Sequence, residues 1–187
     1  GTYTVTYTIP ASAGCASSIV TTTVTITGVP TALISYAGTP YCDAIATGQA
    51  VTLTGTNAYT GGSFTATPAG LIIDASTGAI TPSGSTAGTY TVTYTIPASA
   101  GCASSTVSTT LTIIAVPQIT LTSSVASTNQ TICVNTAIAN ITYAFSGSAT
   151  GVNVVGLPAG VTASTTGNVV TISGTPTSAT AATFNYT

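Results

Sequence analysis

The chain has no lysine, arginine, histidine, glutamate, methionine or tryptophan, and Asp43 and Asp74 are the only formally charged side chains in its 187 residues. An average soluble domain carries about 25 % charged residues. Each absence removes a class of function. With no cation, nothing can neutralise a phosphate backbone, which excludes nucleic acid as a partner. Without His, Glu or Lys, the common general bases, nucleophile activators and Schiff-base amines are missing, so the chain is expected not to be an enzyme and to carry no cofactor. Long apolar runs are missing too. Leu111–Pro117 and Val152–Val161 fall short of the ~20 residues a bilayer-spanning helix needs, so no membrane insertion is expected. No basic-then-apolar leader opens the chain. Gly1 falls directly into a strand pattern, so the chain reads as a mature segment or a window from a longer polypeptide. Low charge beside 44 % hydrophobic residues is the reverse of the disorder signature.

What the chain has is threonine, 45 residues of it, and a repeat. Residues 1–30, GTYTVTYTIPASAGCASSIVTTTVTITGVP, return at 88–117 as GTYTVTYTIPASAGCASSTVSTTLTIIAVP, with 25 of 30 positions identical at an offset of 87 residues. Self-similarity at such a period marks tandem modules. Residues 1–30 are expected to be the C-terminal strands of a first module, 31–117 a complete one, and 118–187 the N-terminal part of a third, diverged one. In that third module Pro158-Ala159-Gly160-Val161 matches Pro68-Ala69-Gly70-Leu71, Thr166-Gly167 matches Thr77-Gly78, and Thr183-Phe184-Asn185 matches Thr89-Tyr90-Thr91.

Within a module the apolar period is two. Tyr90, Val92, Tyr94 and Ile96 alternate with threonines, as do Tyr3, Val5, Tyr7 and Ile9, the pattern of a half-buried strand with a threonine outer face. Val107, Leu111 and Ile113, and Ile141, Tyr143 and Phe145, read the same way. Threonine is β-branched and suits a pleated surface. Gly61-Gly62, Thr77-Gly78 and Ser83-Gly84 supply turns at short intervals, and no segment carries a 3.6-residue stripe. The expected fold is all-β, antiparallel sandwich modules of about 87 residues in series.

The stretch LPAGVTASTTGNVVTISGTPTSATAATFNY (157–186) resembles the immunoglobulin-like, or cadherin-like, domains of bacterial surface proteins, with their L-P-x-G-L, T-G-x-I and S-G-T-P elements and a closing T-F/Y strand; 68–94 is similar. The placement of Pro40-Tyr41-Cys42 and Gly101-Cys102 resembles repeats of very large secreted adhesins of gliding, filament-forming Bacteroidota. The resemblance implies Ig-like sandwiches, export to the cell exterior, and service as surface adhesin or fibre.

The cysteines are of two kinds, early in a module (Cys42, Cys133) and late in one (Cys15, Cys102). Four cysteines allow three connectivities. Cys42–Cys102 lies within the complete module and is the expected pair, closing a loop of about 60 residues worth about 4 kcal/mol in the chain-entropy model. Cys15 and Cys133 would find partners outside this window or in a neighbouring chain. Reduced core cysteines are the alternative; a metal site would need clustered ligands that the spacing does not supply. Disulfides would place the chain in an oxidising, extracellular setting. Segments 50–55, 63–67, 71–74, 79–81 and 88–96 read as strands between Cys42 and Cys102, an odd count that puts the two at opposite ends of a sandwich; either one short segment is not a full strand, with 79–81 expected to be a turn, or Cys42 sits on a strand rather than in an end loop.

Asp74, ahead of Ala75-Ser76-Thr77-Gly78, is expected to cap an Asx-type turn. Asp43 is a candidate calcium ligand only in principle, since two aspartates 31 residues apart make a poor cage for a 6–8-oxygen cation. The tyrosines are expected to pack inward rather than to stack sugars. Asn129, Asn140 and Asn185 each open an N-x-[ST] triplet.

A free domain keeps charge on its edge strands to block edge-to-edge pairing. This chain does not, so its edges are expected to be covered by copies of itself or by adjoining repeats, with residues 1–30 able to add strands to a third-module segment of a neighbour. The expectation is a structural repeat segment of an extracellular filament or giant cell-surface adhesin. A glycan- or surface-binding module is the alternative. Repetition of the loop Pro97–Ser105 at one period's distance favours the structural reading.

Overall fold

The computed structural model describes residues 1–99 and 101–178. Its strands are β1 (Thr2–Ile9), β2 (Ser18–Thr25), β3 (Thr31–Ser35), β4 (Tyr41–Cys42), β5 (Thr52–Thr56), β6 (Ser63–Thr67), β7 (Gly88–Ile96), β8 (Ser105–Ile114), β9 (Gln118–Leu121), β10 (Ile141–Ser146), β11 (Val161–Thr166) and β12 (Val169–Gly174), with one 3-10 turn at Val125–Thr128. No α-helix occurs among the described residues. The fold of the described residues is all-β, in several mostly antiparallel sheets.

The chain divides into two compact units, and the divisions do not fall at the repeat limits. The first comprises Gly1–Pro40, Ile45–Ser85 and Thr89–Thr112; the second comprises Tyr41–Ala44, Thr86–Gly88 and Ile113–Thr187.

In the first unit β1 and β2 form an antiparallel hairpin from Thr2↔Thr25 to Ile9↔Ser18. β3 pairs with β5, from Thr31↔Thr56 to Ser35↔Thr52. The second sheet of the module runs in the order β4-β8-β7-β6. β-Branched and aromatic alternation does here what it should. Tyr90, Val92, Tyr94 and Ile96 are all buried, and Ile34, Tyr36, Phe64, Ile80 and Leu111 bury their side chains in the same unit. Burying one such side chain is worth about 1.5–3 kcal/mol. The Phe64 and Tyr94 rings meet at 4.5 Å between centroids. Each phenol that goes inside takes a partner with it: Tyr94 OH donates to Tyr59 O (2.9 Å) and accepts from Gly62 N (2.9 Å), and Tyr36 OH donates to Gly78 O (2.6 Å). No buried side-chain nitrogen or oxygen among the described residues lacks a hydrogen bond, as a core of this polarity requires.

One expected strand, 71–74, is reduced, and 79–81, expected not to be a full strand, is not one. Between β6 and β7, 71–74 and 79–81 survive only as isolated bridges of Ile80 to Ile73 and to Gln49. In the second unit the corresponding segments are full strands: β11 and β12 pair from Val161↔Gly174 to Thr166↔Val169 in a sheet ordered β11-β12-β10-β9. Ile141, Val161 and Ile172 form its core, flanked by Leu121, Ile138, Tyr143, Val154 and Leu157. The matched residues Thr183-Phe184-Asn185 lie outside the described residues.

Candidate functional site: junctions and an uncovered sheet face

The inward packing expected for the first repeat copy is overturned. Tyr3 and Tyr7 are 61 % and 68 % exposed, whereas Tyr90 and Tyr94, one period on in identical sequence, are 2 % and 1 % exposed. Val5, Ile9, Val20, Val24 and Ile26 are exposed as well. The strand register is the same local chemistry, but in residues 31–117 other strands cover the apolar face, and over β1–β2 nothing described does so. An isolated two-stranded hairpin is marginal in water, and covering this face would be worth on the order of 10 kcal/mol. The opposite face is a hydroxyl ladder, with Thr2↔Thr25, Thr4↔Thr23 and Thr6↔Thr21 in register and Thr2 Oγ1 3.1 Å from Thr25 Oγ1.

The polar chemistry gathers where one repeat hands over to the next. After β2, Asn57 Nδ2 donates to Val29 O (2.8 Å). Asn57 sits at φ 61°, a left-handed conformation that Asn tolerates and most residues do not. One period after Val29, Val116 meets Gly147 (φ 71°), so close that a Cβ there would run into the Val116 carbonyl. β3–β5 and β9–β10 set this up alike: Thr31 pairs Thr56 and Gln118 pairs Ser146, with Asn57 and Gly147 the next residues. Asn57 and Gly147 were not legible as junction residues from motif spacing; aligning the repeat on residues 31 and 118 is the signal that finds them.

Asp43 is held at this junction by backbone hydrogen bonds. Its Oδ1 accepts from Val116 N (2.9 Å), and its own N–H donates to Ile114 O (2.9 Å). Asp43–Ala44, Ala115–Val116, Gln118 and Ser146–Gly147 line an open groove of about 410 Å³. No set of three His, Cys, Asp or Glu that could hold a metal occurs among the described residues.

The expected Cys42–Cys102 bond is not formed in the structure. All four cysteines are unbonded. β4 lies parallel to β8 with Cys42 beside Ile114, at the end of that strand, while Cys102 precedes its first residue, Ser105. A ten-residue strand spans about 30 Å, against a Cα separation of about 7 Å that a disulfide tolerates. Cys102 instead lies at the preceding junction, with Sγ 3.5 Å from Thr27 Oγ1 and 3.9 Å from Gly28 O. Its turn is closed by the Ser99↔Cys102 bridge, and the Ser12↔Cys15 bridge closes the equivalent turn one period earlier. Cys15 and Cys133 are exposed.

Asp74 closes the turn that follows it. Its Oδ1 accepts from Ser76 Oγ (2.7 Å), Ser76 N (2.8 Å) and Thr77 N (2.8 Å), and Gly78 N donates to Asp74 O (2.8 Å). The Ser76 hydroxyl first, then the Thr77 and Ser76 amides, hold its carboxyl well below the usual carboxylate range. A depressed folded pKa contributes stability present above the unfolded value, about 3.9, and lost as pH falls through the folded one. Acid titration of the wild type should therefore lower the urea midpoint below about pH 4, and Asp74→Asn should flatten that slope; a wild-type slope unchanged in Asp74→Asn counts against the cap.

No helix among the described residues is long and apolar enough to cross a membrane. No family model matches the chain, and no curated protein does. Among solved structures the chain is similar to PcdhgB3 EC1-4, a protocadherin segment of cadherin repeats, at 14 % identity and a TM-score of 0.39, over 94 % of this chain and 48 % of that one. The chain thus spans about half the length of the structure it matches.

Proposed function

We propose that this chain is a structural repeat segment of an extracellular filament or giant cell-surface adhesin, used for attachment, in which sheet faces left bare by one stretch of chain are covered by adjoining repeats or by copies of the same chain. The observation that carries the reading is the contrast between Tyr3 and Tyr7 in the open and Tyr90 and Tyr94 in the core. The same sequence is built to be buried, and in β1–β2 its cover must come from elsewhere. The near-absence of charge fits the reading: edges without Lys or Glu do not repel a neighbour, and a chain without Lys, Arg or His has no side-chain cation whose ion pairs salt could screen. The resemblance to bacterial adhesin repeats supports it. The chain is proposed not to be an enzyme, since its only two carboxylates are spent on Val116 N and on the Asp74 turn.

Electron microscopy of native material tests this. Filaments or strings with a regular module-scale axial repeat are expected, together with concentration-dependent sedimentation of the purified chain. A chain that stays a solitary monomer at millimolar concentration and forms no strings would remove the reading.

A further inference from the structure

Two registers place two kinds of cysteine at one point. β4 runs parallel to the end of β8 with Cys42 the partner of Ile114, and such partners stand about 4.8 Å apart on the same face of the sheet. That face is the outer one, because Tyr41 and Ile113 are buried and Ile114 is exposed. One period earlier, Ile114 corresponds to Thr27, and Thr27 is where Cys102 Sγ sits, 3.5 Å from Oγ1. An early cysteine in the module of β1 and β2 would stand beside Thr27, next to the late cysteine of the module that follows.

We propose that the disulfides of this array join the early cysteine of one module to the late cysteine of the next, across the junction, instead of closing a loop inside a module. Cys42 and Cys133 each bond a late cysteine of the Cys15 or Cys102 kind, and Cys102 bonds an early one. The partner is a second module of this repeat, in the same polypeptide or in a second copy. The inference rests on the proposed function only in taking modules to abut in series outside the cell.

The groove on the other junction fits the same scheme. Cys102 touches Gly28, whose equivalent one period on is Ala115, a wall of the groove between Asp43 and Gly147. A following module's Ser99–Cys102-type turn laid against Ala115 brings its sulfur to the outer face beside Cys42. Asp43, held by Val116 N and Ile114 O, fixes the wall that receives it. Bond formation is thiol–disulfide exchange with a disulfide oxidant, RSSR. One cysteine thiolate attacks a sulfur of RSSR and expels RS⁻; the second attacks the mixed disulfide and expels the other RS⁻. The two thiols lose two electrons and two protons, and RSSR is reduced to two RSH.

The test is a chymotryptic map of native assembled material without reduction, made from copies labelled with light and heavy nitrogen and mixed before assembly. Peptides carrying Cys42 or Cys133 are expected joined to peptides carrying late cysteines. Hybrid light–heavy pairs identify a second copy as partner; unmixed pairs between successive modules identify the same polypeptide. A Cys42–Cys102 bond inside one module, an early–early or late–late bond, or four free thiols in oxidised native material overturns the proposal. Filaments whose thiols are all free would remove the staple and leave the proposed function standing, whereas early–late bonds between modules that form no filament would do the reverse. In the chain itself, Thr27→Cys with Cys15, Cys42 and Cys133 changed to Ser should lose both remaining thiols on treatment with oxidised glutathione and migrate faster on a non-reducing gel. Two persistent thiols in the folded variant contradict the placement of Cys102 at the junction.

Discussion

Tyr94→Ala is expected to destabilise the isolated chain by about 3–5 kcal/mol, while Tyr7→Ala, at the same place in the repeat, changes it by no more than about 0.5 kcal/mol. Tyr94 is 1 % exposed, meets the Phe64 ring at 4.5 Å, and its hydroxyl ties Tyr59 O to Gly62 N. Its removal leaves a cavity and strips two backbone groups of a partner. Tyr7 is 68 % exposed and loses little. In assembled material the difference should vanish, because a covered β1–β2 face puts Tyr7 in the surroundings Tyr94 already has. Urea melts of dilute chain and of assembled material measure both values. Equal penalties in dilute chain, or an unaltered assembly with Tyr7→Ala, would contradict the covering of this face.

The second large effect is at the β6–β7 edge. A Cβ on Gly62 would run into the Thr95 carbonyl oxygen and stand 2.6 Å from Tyr94 Cζ. Neither can withdraw: Thr95 is held in register with Ser63, and the Tyr94 hydroxyl is itself bonded to Gly62 N. Gly62→Ala should therefore reach the upper end of the overpacking range, about 3 kcal/mol. Its neighbour gives the control. Gly61, at φ 80°, has nothing within 4 Å of a Cβ, so Gly61→Ala pays only for the left-handed backbone, about 1–2 kcal/mol. Thermal or urea unfolding of the two variants separates them, and a Gly61 penalty equal to or above that of Gly62 would show the close approach to be harmless.

Residues 2–9 and 89–96 show what a sequence can and cannot convey. Both copies of TYTVTYTI fold as strands with tyrosines on one face, since alternation and β-branching act within a few residues of chain. Burial does not: the Tyr94 ring meets Phe64, far away in the chain, whereas Tyr3 and Tyr7 stay exposed. The place of Cys42 was hidden for a related reason. β4 is two residues long and joins β8 in parallel, a pairing that no periodicity announces, and it decides which end of the module Cys42 occupies. Asp74 was readable because an Asx turn is local, closed within Asp74–Gly78. Asp43 was not, because its partner, Val116, is 73 positions away.

The parallel register of β4 against β8 has a mechanical consequence. Tension drawn along the chain through a module pulls Tyr41–Cys42 and Ile113–Ile114 in opposite senses along a shared ladder. The hydrogen bonds there, with the Asp43 clamp beside them, are then loaded together in shear and not peeled open one by one. A tether built of such modules would lengthen only when several bonds rupture at once, so it would hold a steady pull as a stiff cord and yield in discrete steps.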